Sequence, residues 1–155
     1  MLTLALDTVI NVYLSRNLLN MTFENRMTHT QERRDVLVRD NDKGPVSMVN
    51  LLKFKDKAVY EDGRETQLSG LEAYNTYGVP MGKLIAEGGG KVTYTSEVDS
   101  LVVGEADELW DIVVILEYPS REKFLELISS PEAQLLQVHR TAGLAGQMLL
   151  ATSQI

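Results

Sequence analysis

Two adjacent residues near the C-terminal end of the chain could carry acid–base chemistry. His139 and Arg140 follow one another in the stretch LLQVHRTAG, where a helical pattern is ending. The pKa of histidine lies near neutrality, so its imidazole can both give and take a proton. The planar guanidinium of arginine can hold a carboxylate or a developing oxyanion. Both residues are therefore candidate catalytic residues.

A purely structural role would also explain this pair. A cation near the C-terminus of a helix contributes about 0.5 kcal/mol without any further function. Consecutive helical residues diverge by about 100°, so the two side chains can reach one site only if the helix loosens after Arg140. The sequence Thr141-Ala142-Gly143 would permit such loosening.

Five further residues are candidates for ligand binding, each with a structural alternative. Asn50 is a polar residue within an apolar strand and could orient a ligand carbonyl or satisfy a backbone group. Trp110 could stack on a flat ligand, although tryptophan is more often a core residue. Asp111 could act as a base, although an ion pair is the commoner role. Tyr74 and Tyr94 could line a pocket, although packing is the safer interpretation of both.

Composition restricts the class of partner and cofactor. The formal charge is 15 − 22 = −7, which argues against a nucleic-acid partner. The absence of cysteine excludes disulfides, thiol catalysis and sulfur-ligated metals, and it fits a cytoplasmic protein. Because the chain also has only two histidines, we expect neither a metal site nor a cofactor.

The first residues of the chain do not form a typical export signal or membrane span. Asp7 and Asn11 interrupt the apolar run, and the first basic residue is Arg16. Apolar residues recur at helical spacing over 2–13, which favours an amphipathic helix. Met27 is an alternative start of the protein. We expect residues 1–43 to be a helical extension and residues 44–155 to form the main domain.

Within the main domain, four strands are predicted. The stretches VSMVNLLKF (46–54) and KVTYTSEVDSLVVG (91–104) predict the first two, and LWDIVVILEYP (109–119) predicts the third. The stretch GQMLLAT (146–152) predicts the last. In the third, Trp110 and Asp111 should point to opposite faces.

Serine caps mark the predicted helices between these strands. Ser69 and Glu72 form a capping box at the start of a helix over about 70–87, with a kink or break expected at Pro80. A second helix begins after Ser120 and restarts at Ser130-Pro131. The resulting order, β-α-β-β-α-β, is that of an α+β, ferredoxin-like fold with one antiparallel sheet.

The strands are apolar on both sides, which the two helices cannot cover. Five consecutive residues of the third strand are apolar: Ile112, Val113, Val114, Ile115 and Leu116. Exposing such a face would exceed the apolar patch that a monomer usually tolerates. A second copy is the simplest cover and would give a two-fold homodimer. The alternative is that the N-terminal helix folds back over the sheet.

Three stretches carry a resemblance to a known family. GPVSMVNLLKFKDKA, SGLEAYNTYG and LWDIVVILEYPSREKFLELISSPEAQLLQVHRTAGL resemble, in order and spacing, the bacterial family called domain of unknown function 1330. The resemblance covers about residues 44–152. It implies a ferredoxin-like protomer of the dimeric α/β-barrel superfamily and therefore a homodimer. It implies no reaction, because that superfamily includes monooxygenases, isomerases, haem proteins and plain binding proteins.

These observations leave three functional hypotheses. The first is a small cofactor-free enzyme that holds an apolar or aromatic metabolite in a barrel pocket, with His139 as acid–base group and Arg140 and Asn50 as anchors. Isomerisation, elimination or oxygenation would suit such a site. The second is a binding protein with the same pocket but no catalysis. The third is an interaction module whose barrel is packed shut.

Overall fold

The computed structural model describes residues 25–39 and 44–154 as a four-stranded sheet with four helices. The elements are α1 (Gln31–Arg39), β1 (Val46–Phe54), α2 (Gly70–Glu87), β2 (Lys91–Glu97), β3 (Ile112–Tyr118), α3 (Arg121–Ile128), α4 (Pro131–Gly143) and β4 (Leu144–Thr152). From β1 onward this is the predicted β-α-β-β-α-β order, with its second helix divided into α3 and α4. The amphipathic helix predicted over 2–13 lies outside the described residues.

The sheet has the strand order β2-β3-β1-β4, and every neighbouring pair is antiparallel. This order and the helical crossovers define a ferredoxin-like α+β protomer, which confirms the predicted fold class. The central strands β1 and β3 pair from Val46 with Tyr118 to Leu52 with Ile112. Irregularities interrupt the register beside Phe54 in the β1–β4 ladder and beside Tyr94 in the β2–β3 ladder.

The helix starts follow the predicted caps. Ser69 accepts from the backbone of Glu72, whose side chain accepts from the backbone of Ser69, so the capping box is present. Ser120 and Ser130 cap α3 and α4 in the same manner. A break of α2 at Pro80 is wrong, because the helix runs through it. Pro80 removes one backbone hydrogen-bond donor, but burial of the turns that follow it stabilises the helix.

Two glycines fix how closely α2 and α4 approach each other. A Cβ on Gly143 would lie 2.3 Å from the backbone oxygen of Gly70, and a Cβ on Gly70 would lie 2.5 Å from that of Gly143. No side chain fits in either place. The first turn of α2 and the last turn of α4 are therefore in backbone contact, which sets the position of the residues just before Gly143.

The third predicted strand is shorter than expected. β3 begins at Ile112, so Trp110 and Asp111 precede it and do not alternate within it. The Asp111 carboxylate accepts from Lys53 Nζ at 2.8 Å and from the Phe54 backbone N–H at 2.7 Å. These bonds hold the end of the 98–111 connection against β1.

The inner face of the sheet is the one that the helices cover. On β1 it presents Val46, Met48, Asn50 and Leu52, all of which are buried. Val46 and Met48 belong to the main core cluster, together with residues of α2, β3 and α3. From α1, Leu37 packs against the same cluster.

The outer face of the sheet carries two apolar rows that cross the strands. The first row is Leu150, Val49, Ile115 and Tyr94, and the second contains Met148, Leu51 and Val113. The four residues from β1 and β3 are only half-buried, whereas Tyr94 is 53% exposed and Leu150 is 46% exposed. No element among residues 25–39 and 44–154 lies over these rows, because α1 packs on the inner side.

Across the described part of the chain, none of the helices combines the length and the apolar character that crossing a lipid bilayer would require.

Candidate functional site

A large, partly open cavity lies between the inner face of the sheet and the helices. Its volume is about 980 Å³, and residues 26–37 contribute part of its wall. Apolar side chains form much of its wall. Those that are at least partly exposed include Val92, Val114, Leu116, Ile128 and Leu149. Small-ligand sites have this size and this apolar character.

A chain of three polar side chains enters this cavity from three elements. Arg140, in the last turn of α4, donates a short hydrogen bond to the Gln147 side-chain oxygen on β4. Gln147 Nε2 in turn donates to Asn50 Oδ1 on β1 at 2.7 Å. Gln147 pairs with Leu52 across the ladder, which makes it a diagonal neighbour of Asn50 on the inner face. Asn50 accepts this bond through Oδ1 and lines the cavity from β1.

Two further contacts hold the Arg140 guanidinium in place. It donates to Gln137 Oε1 at 3.1 Å, within α4, and to the Met27 carbonyl at 3.0 Å. The Asn25 side chain anchors the same N-terminal segment, because its Nδ2 donates to the Ala145 carbonyl at 2.7 Å. The arginine is thus oriented by neutral acceptors from three directions.

Tyr74 and Tyr77 form an aromatic wall of the cavity on α2. Their ring centroids are 5.5 Å apart, and Phe54 packs edge-on against Tyr74 at 5.3 Å. Burial raises the pKa of Tyr74 far above its usual value, and it also raises the pKa of Tyr77; the charge of Arg140 opposes both shifts. Both phenols therefore stay protonated at neutral pH and can act only as hydrogen-bonding or stacking groups.

The charge of the cavity wall is opposite to that of the whole protein. The described residues that line the cavity include no Asp or Glu. They do include four arginines and one histidine: Arg26, Arg33, Arg34, Arg140 and His29. The chain as a whole carries a formal charge of −7. The acidic residues of the described chain are therefore placed elsewhere.

His139 does not share this site with Arg140. Helix α4 continues to Gly143 without loosening, so the condition for their convergence is not met. His139 Nδ1 instead lies 2.8 Å from Tyr60 Oη, on the side of α4 that packs against the 55–60 connection. The structure therefore does not bring His139 and Arg140 together in this cavity.

The remaining candidates divide between the cavity and other places. Asn50 and Tyr74 line it. Tyr94 does not, because it lies on the outer face of the sheet. Asp111 makes the ion pair with Lys53 that was its structural alternative, and Trp110 is half-buried beside it, outside the cavity wall.

Sequence reasoning missed the main partner of Arg140. Gln147 is the one polar side chain within GQMLLA, a signal of the same kind as Asn50. Its significance depends on the β1–β4 register, which the local sequence does not reveal. The N-terminal segment was likewise assigned to an extension, although Leu37 packs on the core and residues 26–37 contribute to the cavity wall.

The described residues offer no ready metal site. No group of three or more His, Cys, Asp or Glu side chains within residues 25–39 and 44–154 is arranged to hold a metal ion. The polar side chains that line the cavity are instead mainly guanidinium, carboxamide and hydroxyl groups, which suit the recognition of carboxylate and carbonyl oxygens.

Residues 64–153, more than half of the chain, match the family described as "Domain of unknown function (DUF1330)". The chain belongs to the DUF1330 family. The predicted membership is therefore confirmed, and the match spans α2 to β4, including Arg140 and Gln147.

Solved structures include relatives of this DUF1330 chain. The RPA0582 protein of unknown function from Rhodopseudomonas palustris is 30% identical, with a TM-score of 0.77 over 85% of this chain and 98% of that one. The methylated RPA0582 protein is 33% identical, with a TM-score of 0.78 over 86% of this chain and 97% of that one. Comparison with curated proteins gives no match.

Proposed function

We propose that this protein binds a small molecule with an apolar or aromatic body in the cavity beneath its helices, and that it does so as a homodimer. The cavity carries the proposal. Its volume of about 980 Å³ and apolar interior, crossed by the Arg140–Gln147–Asn50 chain, are typical of a ligand site.

Binding is better supported than acid–base catalysis. His139 faces Tyr60, and the Tyr74 and Tyr77 phenols remain protonated because burial raises the pKa of both. Within the described residues of the cavity wall, His29 is the one histidine, and it is exposed. General acid–base catalysis needs a base held within hydrogen-bond reach of the substrate. This requirement favours the binding hypothesis.

A neutral dye tests the cavity as a binding site. N-phenyl-1-naphthylamine gains fluorescence in apolar surroundings and carries no charge. Gly82 lines the cavity, and a Cβ placed on it meets no heavy atom within 4 Å. Gly82→Leu should fill the space and weaken dye binding at least tenfold, whereas Gly82→Ala should leave it within twofold. Equal binding by Gly82→Leu and the wild type would show that the dye, and the proposed ligand, do not use this cavity.

The outer face supports the homodimer. Its two apolar rows lie at the centre of the sheet, and polar pairs such as Lys91–Glu117 and Lys53–Asp111 lie beyond them at either end. A four-stranded face whose strands have seven or nine residues measures about 20 by 23 to 30 Å. That is of the order of the surface, roughly 800 Å², which each partner buries in a standard interface. A second copy brings an identical apolar centre and polar rim.

Sedimentation equilibrium at micromolar concentration tests the homodimer. The wild type should have about twice the chain mass of 17.3 kDa. Ile115→Lys places a charge in the outer-face row and should give a monomer. Leu135→Lys is the matched control, because Leu135 is 77% exposed on α4 and lies outside the outer face. A dimer that survives Ile115→Lys would exclude this face as the interface.

The domain boundary at residue 44 and the cytoplasmic location stay predictions. The cytoplasmic prediction depends on the cysteine-free sequence alone.

A further inference from the structure

We infer that the ligand is an organic carboxylate: an apolar or aromatic body with a carboxylate group that the Arg140 guanidinium binds. This inference rests on the proposed binding function and specifies the chemical class of the ligand. Three features of the cavity support it. They are the positive charge of its wall, the lack of a carboxylate partner for Arg140 among the described residues, and the placement of the donors that face the cavity.

The first feature is the segregation of charge. The described chain places several arginines and a histidine around one cavity and no carboxylate among them, although acidic residues outnumber basic ones by 22 to 15 in the sequence. A cleft lined by one sign of charge concentrates ligands of the opposite sign. The acidic surface elsewhere repels the same anions, so the cavity is the favoured place for them.

The second feature is that Arg140 has hydrogen bonds but no counter-ion. Its three acceptors, from Gln137, Met27 and Gln147, are all neutral oxygens. No carboxylate within the described residues forms a salt bridge with it, whereas Lys53, Arg64, Lys91 and Lys123 all have one. A half-buried cation that has no carboxylate partner among residues 25–39 and 44–154 favours an anion in the adjoining space.

The third feature is the set of donors that remain for an anion. Both Nη2 hydrogens and one Nη1 hydrogen of Arg140 are occupied, so Nε–H and the second Nη1–H are left for a carboxylate oxygen, and the Asn50 amide lines the same cavity. Much of the remaining wall is apolar and includes the partly exposed side chains of Val114, Leu116 and Ile128. A free inorganic anion would make no use of this apolar surface. A carboxylate joined to an apolar body uses both parts.

Calorimetric titration with octanoate, octan-1-ol and acetate tests the inference. These probes share the apolar body or the carboxylate, but only octanoate has both. Octanoate should bind at least tenfold more tightly than octan-1-ol and than acetate. Arg140→Gln should remove the preference for octanoate over octan-1-ol, and Arg140→Lys should retain part of it. Arg39→Gln is the control, because Arg39 is exposed at the end of α1 and does not line the cavity.

The outcomes separate this inference from the proposed binding function. If octanoate and octan-1-ol bind equally in the wild type, the carboxylate class is wrong but the cavity still binds ligands. The class is also wrong if octanoate fails to bind while N-phenyl-1-naphthylamine binds in the Gly82-dependent manner. If neither the dye nor any probe binds, the proposed function itself fails. Should Arg140→Gln not fold, Arg140→Met still decides the point, since an unchanged preference for octanoate over octan-1-ol in that folded variant would contradict the role of the Arg140 charge.

Discussion

Met48 and Val49 are neighbours in β1, yet their side chains have opposite surroundings. Met48 is 1% exposed under the helices, in contact with the main core cluster, whereas Val49 lies half-buried on the outer face between Ile115 and Leu150. Both faces are apolar, but one has partners within the protomer and the other has none among the described residues. A strand with apolar residues on both sides therefore indicates two different contacts, one intramolecular and one with another molecule.

Alanine substitutions of Met48 and Val49 should differ in their effect on the free energy of unfolding, and Met48→Ala should give the largest loss predicted for this protein. Met48→Ala should lower the free energy of unfolding by about 3 kcal/mol, because it leaves a cavity in the core. Val49→Ala should cost about 1 kcal/mol in the protomer and should also weaken the dimer. Chemical denaturation at several protein concentrations separates the two effects. A loss for Met48→Ala that depended on concentration as strongly as the loss for Val49→Ala would contradict the distinction between the faces.

Gly143→Ala should be the next most damaging change. Its methyl group would lie 2.3 Å from the Gly70 backbone oxygen, so α2 and α4 must separate, at a cost of about 2 kcal/mol. Because that contact positions the last turn of α4, octanoate binding at Arg140 should weaken as well. Gly82→Ala is the control: its methyl enters open space and should stabilise the helix by about 0.5 to 1 kcal/mol. Equal melting temperatures for the two variants would overturn this assignment.

Alkaline pH should lower the free energy of unfolding through the buried tyrosines on the helix-covered side of the sheet. Burial raises the pKa of Tyr74, Tyr77 and Tyr118 in the folded state above the ordinary value of about 10. Below that value the tyrosines are protonated in both states and their contribution is fully present. Above it the unfolded chain loses these protons first, so the free energy of unfolding should fall as pH rises. Denaturation curves between pH 8 and about 11 measure this slope, and Tyr74→Phe should make it shallower. A slope unchanged by Tyr74→Phe would show that this phenol is not desolvated in solution.

Removal of the ion pair at the rim of the outer face should have the smallest effect. Lys91 and Glu117 are both well exposed, and such pairs contribute little because water screens them. Glu117→Gln should change the free energy of unfolding of the monomeric Ile115→Lys background by less than about 0.5 kcal/mol. Thermal unfolding of that pair of variants measures it. A larger loss would mean that the rim, and not the apolar centre, stabilises the outer face.

The sequence predicted those parts of the fold that local patterns determine. The bounds of β1 and α2, and the caps Ser69, Ser120 and Ser130, followed from alternation, helical spacing and side chains that bond to nearby backbone. Asn50 was recognisable because a polar residue in an apolar strand needs a partner.

The candidate site was predicted less well because it depends on contacts between distant segments. Arg140 meets Gln147 and Met27, which are 7 and 113 residues away, and no local pattern connects them. His139 was a candidate because of its pKa, but the rotation of an uninterrupted helix turns it towards Tyr60. Tyr94 lies on the outer face, which a barrel pocket between two copies would include, so its place in such a pocket stays a prediction.

A crystal structure of the full chain with octanoate tests the two-face account most directly. The account predicts the carboxylate on Arg140 within the helix-covered cavity, and two outer faces packed against each other across a two-fold axis. A carboxylate bound elsewhere with Arg140 unoccupied, or outer faces open to solvent in a protein that sediments as a monomer, would contradict it.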